Sequence, residues 1–418
     1  MSIGDNRARI SGRKLFPGGS FGPFDPYALA GSTFLWSWVG ALYMSAFFVP
    51  FGRQGTMAEA ATWLISLLGV PICLVFLWRP VYVRKVITKR KVLLASGLLG
   101  AVGSLLLIVA AQTGDHAVLV AGSFLGAVYL AVAIVAWGAP YCAGGVQTIA
   151  LYVVGGYACT LLPNVLFMLL MPPFSAYVFA FLPLLSMALL CRVDKGLRAY
   201  YGDNVGFRKP VASEGTAAVI HRAFGVGAST ICGLVLIMLG IGYMEHRVSF
   251  SPSFSVPLVG DGAIVQLVHG AAAAILFAVM YFLPGCVQAA FRVGLGVIVA
   301  GFSLMPFLYG GDSFWLCGAI IISGYVVFDV LIWIIVAQSA RNGSDAFASV
   351  CVMRLAVNGA FSSLGGMIGS AVSRTGGFST FACADAVLVG YLMTVAVMLV
   401  LGDHGVWGMF ETVDDGQT

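Results

Sequence analysis

The sequence predicts an all-α membrane protein of twelve transmembrane helices in two six-helix bundles. Three observations predict it. Of 418 residues, 60% are hydrophobic and only 9% charged. Soluble proteins carry about 25% charged residues, so a soluble fold would lack the polar surface to wet itself. Apolar runs of roughly twenty residues recur along the whole length, long enough to cross a bilayer as helices. A membrane β-barrel would instead alternate apolar and polar over about ten residues. Finally, Lys and Arg fall almost wholly into alternate connections between these runs, as membrane topology demands.

Taken in order, residues 1–27 form a basic, then Gly/Pro-rich tail. The apolar run that follows is longer than a signal-peptide core, so no cleaved leader is expected. Six spans follow, at 28–50, 58–78, 91–112, 116–138, 146–171 and 174–191. The last two are parted only by Met171-Pro172-Pro173, a helix-breaking turn. Residues 192–222 contain Gly, Pro and mixed charges, and read as a linker. Six more spans are expected at 223–243, 262–283, 287–308, 313–337, 346–372 and 379–401, before an acidic tail at 402–418. Residues 28–191 and 223–401 are therefore the two bundles. The phrase Phe76-Leu77-Trp78-Arg79-Pro80 after the second span is echoed by Tyr281-Phe282-Leu283-Pro284 after the eighth, at corresponding places in the two halves.

With the N-terminus cytoplasmic, the inner connections hold eighteen Lys and Arg residues and the outer ones only Arg53, Arg247 and Arg374. Both termini are then cytoplasmic. The nine cysteines are scattered through apolar runs with no CxxC pair, where a free thiol packs as a small hydrophobe. No cofactor or metal site is expected. There is no phosphate loop, Ser–His–Asp set or HExxH motif, and an enzyme is not expected.

Twelve spans, two halves and a basic central connection resemble the major facilitator superfamily, in which two six-helix bundles enclose a central cavity. The resemblance covers residues 28–401. Transporters of that superfamily carry a Gly-x-x-x-Asp-Arg-x-Gly-Arg-Arg phrase between helices two and three. Here Arg79-Pro80-Val81-Tyr82-Val83-Arg84-Lys85-Val86-Ile87-Thr88-Lys89-Arg90 keeps the charge without the Asp or glycines. The stretch Phe328-Asp329-Val330-Leu331-Ile332-Trp333-Ile334-Ile335-Val336-Ala337-Gln338-Ser339-Ala340-Arg341 resembles bacterial membrane-bound LuxR-type transcriptional regulators, whose major-facilitator-like bundle is joined to a helix-turn-helix. That resemblance implies a bacterial cell-membrane ligand sensor. DNA would be contacted only through a module not contained in these residues. The basic inner connections suit anionic lipid headgroups.

Charge inside a bilayer needs a partner. Asp329 in the tenth span and Arg354 in the eleventh each lie about eight residues from the inner surface, roughly 12 Å deep at the helical rise, so an ion pair is expected. It either fixes packing or lines a ligand cavity. Asn358, one turn beyond Arg354, is placed to complete its hydrogen bonding. His269 shares a helical face with Gln266, and an imidazole can exchange a proton near neutral pH; its plainer role is packing. Tyr43 and Tyr129, in the first and fourth spans, are candidates for an aromatic cavity wall. Trp36, Trp137 and Trp333 fit an interfacial belt better. Glycine runs such as Gly365-Gly366-Met367-Ile368-Gly369 permit close helix approach.

The expected ligand-binding set is therefore Tyr43, Tyr129, His269, Asp329, Arg354 and Asn358, for a small aromatic or anionic molecule. The leading functional expectation is a membrane-embedded small-molecule sensor. The alternative is a secondary transporter of the major facilitator superfamily moving a small organic solute.

Overall fold

The computed structural model describes residues 24–43, 56–143, 145–170, 174–193, 228–249, 261–308, 313, 315–341, 349–375, 381–403 and 406–407. Nearly all of the 192–222 linker and of both tails lies outside these. The described residues are helical throughout, with no strand.

The first span is α1 (Pro26–Tyr43), opened by Asp25, whose Oδ1 accepts the Tyr27 N–H at 2.8 Å. A carboxylate in that position satisfies a first-turn donor that has no helical partner. The Asp25 N–H donates to the Tyr152 hydroxyl at 3.0 Å, tying the start of α1 to the fifth span. Next come α2 (Thr56–Trp78), a short α3 (Pro80–Ile87), α4 (Arg90–Thr113) and α5 (His116–Ala143). The basic connection expected after the second span is thus itself a helix, with Pro80 at its first position, where a missing N–H does no harm. Gly114 ends α4 at φ 78°, and Asp115 immediately starts α5 by accepting the Ala117 N–H at 2.8 Å. Glycine is the residue that adopts this left-handed turn without strain, and here it makes the reversal between α4 and α5.

The fifth span is α6 (Gly145–Ile149), a π-helical segment Ala150–Val154, α7 (Gly155–Cys159) and α8 (Leu161–Leu169). The sixth is α9 (Phe174–Ala180) and α10 (Leu182–Leu190). The second half comprises α11 (Ala228–Ser249), α12 (Asp261–Phe282), a 3-10 turn Pro284–Cys286, α13 (Val287–Leu308) and α14 (Trp315–Arg341). It continues with a second π-helical segment, Cys351–Ala360, then α15 (Phe361–Thr375) and α16 (Phe381–Leu401). Seven of these helices are long and apolar enough to cross a bilayer, and shorter apolar helices cover Ala150–Leu166, Phe174–Leu190, Ala228–Met244 and Leu267–Phe282.

Packing repeats between the halves. Helix α4 lies on α5 as α13 lies on α14, α1 on α10 as α11 on α16, and α2 on α5 as α12 on α14. The seam between halves repeats too: α2 packs on the π segment at Cys351–Ala360, and α12 packs on α7 and the π segment at Ala150–Val154. Both π segments therefore lie in equivalent helices at the seam. A π turn interrupts the regular ladder and is common at functional sites. Large apolar side chains such as Leu74, Leu162, Ile275, Phe307 and Tyr391 point outward, as in a protein whose solvent is lipid.

Candidate functional site

Asp329 and Arg354 are both buried, at 2% and 7% exposure. Their contact has two points: Arg354 Nη1 donates to Asp329 Oδ1, and Arg354 Nη2 donates to Oδ2 at 3.2 Å. End-on pairing of this kind fixes both groups in orientation as well as distance. Asn358 Nδ2 donates to Asp329 Oδ1 at 3.2 Å, and the Tyr325 hydroxyl stands 3.5 Å from the same oxygen. Asn358 therefore serves the carboxylate rather than the guanidinium.

A fourth donor comes from the other half. The Tyr157 hydroxyl donates to Asp329 Oδ2. Tyr157 reaches it because Gly155 and Gly156 bring α7 close to α1: a Cβ on Gly156 would stand 2.8 Å from Ser32 Oγ. This residue was missed in the sequence reading, and the glycine pair before an intramembrane tyrosine is the signal that marks it. Tyr157→Phe is expected to lower stability by about 1.5–3 kcal/mol, the worth of a hydrogen bond to a charged group. Tyr325→Phe, at its longer distance, should lose less. Thermal unfolding of the two purified variants checks the order.

The guanidinium lies over Trp333, 4.7 Å from the ring centroid, and 5.7 Å from that of Trp36. Trp36 meets Tyr157 edge-on at 4.7 Å, and Trp333 meets Tyr141 edge-on at 5.1 Å. Trp137 stacks on Tyr141 and donates to Ser186 Oγ at 3.1 Å. All three tryptophans are buried in the bundle. The interfacial-belt expectation for them is thus corrected: Trp36 and Trp333 offer their faces to the guanidinium, an attraction that grows where water is excluded, and Trp137 packs on Tyr141.

Together these groups form one end of a cavity of about 140 Å³ between the halves. Trp36, Tyr157, His269, Tyr325, Asp329, Arg354 and Asn358 line its polar end, and Ile65, Leu130, Ile134, Ile241 and Ile321 line the rest. Two close contacts join the halves near the polar end. A Cβ on Gly138 would stand 2.9 Å from Val350, and Cys73 Sγ lies 3.2 Å from the Cys351 carbonyl oxygen. They lie towards the end of α2, where the Lys/Arg-rich connection at Arg79–Lys91 begins.

Of the expected ligand-binding residues, the cavity brings together His269, Asp329, Arg354 and Asn358. The His269 ring stands 5.1 Å from that of Tyr157. Tyr129 is corrected: it is fully buried, edge-on to Trp38 at 5.0 Å, and packs towards Gly100 and Pro183 rather than on the cavity wall. Helical spacing turns it a face away from Leu130 and Ile134. Tyr43 closes α1, and its side chain lies outside the described residues, as does that of Gln266. A second intramembrane carboxylate was also missed: Asp385 in α16 accepts a hydrogen bond from the Tyr243 hydroxyl in α11.

No protein-family model and no curated protein matches the sequence. Solved structures do match in fold. The human organic anion transporter MFSD10 (TETRAN) is 12% identical, with a TM-score of 0.58 over 90% of this chain and 97% of its own. A bacterial homologue of the iron transporter ferroportin, in an outward-facing state with soaked iron, is 14% identical, with a TM-score of 0.51 over 93% of this chain and 99% of its own. The fold is therefore an all-helical bundle shared nearly from end to end with both of these solved transporter structures.

Proposed function

We propose that this protein is a secondary transporter that moves a small organic solute through the central cavity by alternating exposure of its two sides. One observation carries the proposal: the polar end of the cavity is a buried ion pair of the second half clasped by Tyr157 of the first. A bond network that spans the seam must change when the halves rock against each other, so solute and bundle arrangement share the same groups. In this reading the Lys/Arg-rich side faces the cytoplasm of a bacterial cell membrane. The likeness to solved transporters supports the bundle in which such a cycle operates.

This reverses the order in which the sequence placed the two functional readings. The stretch Phe328–Arg341 that resembles LuxR-type regulators is, in the structure, the C-terminal half of α14, with Phe328, Val330, Leu331, Ile332 and Trp333 all buried. Its apolar character is explained by core packing.

The test is uptake by purified protein in proteoliposomes under an imposed proton or sodium gradient, using a set of radiolabelled small aromatic acids, amides and amines. At least one should accumulate uphill, and Tyr157→Phe should slow its uptake severalfold. Saturable binding with no flux under any gradient would overturn transport and return the protein to the sensor reading.

A further inference from the structure

We infer that the cavity takes an apolar monocarboxylate about the size of one aromatic ring, gripped on the free edge of Arg354, and that its binding draws one proton to the Asp329–Arg354 pair. The inference rests on the cavity being the solute site, as proposed above.

Size comes first. A cavity of about 140 Å³ is close to the roughly 150 Å³ engineered apolar cavity that accepts benzene. Most of its wall is Ile, Leu, Ala and Gly, so the body of the ligand is apolar. Its polar contact must be made at one end.

Hydrogen-bond capacity then decides the chemistry of that end. The Asp329 carboxylate accepts from both Arg354 Nη atoms, from Tyr157 and from Asn358. No acceptor site is left on it for a ligand amine. Donors, by contrast, remain. Arg354 Nε and His269 Nε2 are buried and have no hydrogen-bond partner among the described residues. A guanidinium carries five N–H groups. End-on pairing with Asp329 leaves the second edge, Nε–H with the remaining Nη2–H, as an unused fork of the shape that fits a carboxylate. The rings of Trp36 and Trp333 hold the guanidinium plane in place, and Arg354 lines the cavity.

Charge decides the proton. With a carboxylate on that edge, two anionic groups share one cation in a site walled mostly by apolar side chains. Like charges so placed cannot both stay ionised, and one takes up a proton. Among the described residues, the titratable groups facing the pair are Tyr157 on α7, Tyr325 on α14, His269 on α12, and Tyr141 on α5 behind Trp333. None of them supplies a second fixed positive charge, so the proton is the balancing ion.

The experiment is isothermal titration of the full chain, purified in micelles, with benzoate, benzamide and benzylamine as probes, each in two buffers of different ionisation enthalpy. Benzoate should bind at least tenfold tighter than the other two. It should take up about one proton, so that its affinity falls about tenfold for each unit by which the pH is raised. Asp329→Asn should still bind benzoate but without proton uptake. His269→Gln should weaken binding severalfold with the proton count unchanged, which keeps the test decisive if Arg354→Gln fails to fold. Equal binding of benzamide or benzylamine, no benzoate binding, or a proton count of zero in the unmodified protein would each overturn the inference. Failure of the cavity reading is separable through Trp36. A probe that changes tryptophan fluorescence in the unmodified protein but not in Trp36→Phe occupies the cavity, whichever ligand class it belongs to.

Discussion

Arg354→Leu and Asp329→Leu are each expected to lower stability by about 3–5 kcal/mol, the cost of leaving one buried charge without its counter-ion. The double variant should lose less than the sum, because neither charge is then stranded; that shortfall measures the coupling between contacting residues. The two single variants should differ in pH response. In Arg354→Leu the stranded group is a carboxylate that still accepts from Tyr157 and Asn358. It can shed its charge by taking a proton, so lowering the pH should recover part of the lost stability. In Asp329→Leu the stranded group is a guanidinium, which does not deprotonate in proteins. It keeps its faces on Trp333 and Trp36, and no such recovery should be seen. Thermal unfolding in micelles at two pH values reads both effects. Equal pH response of the two variants, or strict additivity in the double, would show that Asp329 and Arg354 are not each other's counter-ions.

That pair was legible in the sequence because intramembrane charge is rare and helical rise converts position into depth. The fold was legible for the same kind of reason: span length and Lys/Arg placement are set by the bilayer, so 287–308 coincides with α13, although 28–50 runs seven residues beyond α1 into residues outside the described ones. The groups around the pair were less legible. Tyr157 is an ordinary aromatic in an apolar run, and only the approach of α7 to α1 through Gly156 makes it a ligand of Asp329. The burial of Trp36 and Trp333 beneath the guanidinium likewise depends on tertiary packing, because an amphipathic ring suits a membrane interface equally well. Tyr129 failed for a geometric reason. One residue along a helix is a turn of 100°, and Leu130 took the wall position. The π segments at Ala150–Val154 and Cys351–Ala360 have no propensity signature, yet the second of them sets the facing of Arg354 and Asn358 toward Asp329.

Gly242→Ala and Gly365→Ala are expected to be the most damaging of the single-methyl additions. A Cβ on Gly242 would stand 1.9 Å from the Ser362 carbonyl oxygen, and one on Gly365 would stand 2.0 Å from that of Leu239. The obstruction in each case is backbone, which cannot rotate away as a side chain can. Helices α11 and α15 must therefore separate. Added volume in a packed interior costs about 1–3 kcal/mol even where side chains can adjust, and each variant should reach or exceed that range. Both substitutions push on the same interface, so the double variant should lose less than the sum. Gly296→Ala is the control. Nothing lies within 4 Å of a Cβ there, and alanine in a helix interior is favoured over glycine by up to about 1 kcal/mol, so it should be neutral or stabilising. The consequences should also reach the cavity. Ile241 on α11 and Ser362 on α15 both line it, and α15 follows directly from the π segment that carries Arg354. Forcing the two helices apart therefore moves the wall against which a ligand packs. Thermal unfolding and ligand titration of the three variants should rank them alike, with Gly296→Ala indistinguishable from the unmodified protein in binding. If Gly242→Ala and Gly365→Ala unfold at the same temperature as the unmodified protein, α11 and α15 do not meet backbone to backbone.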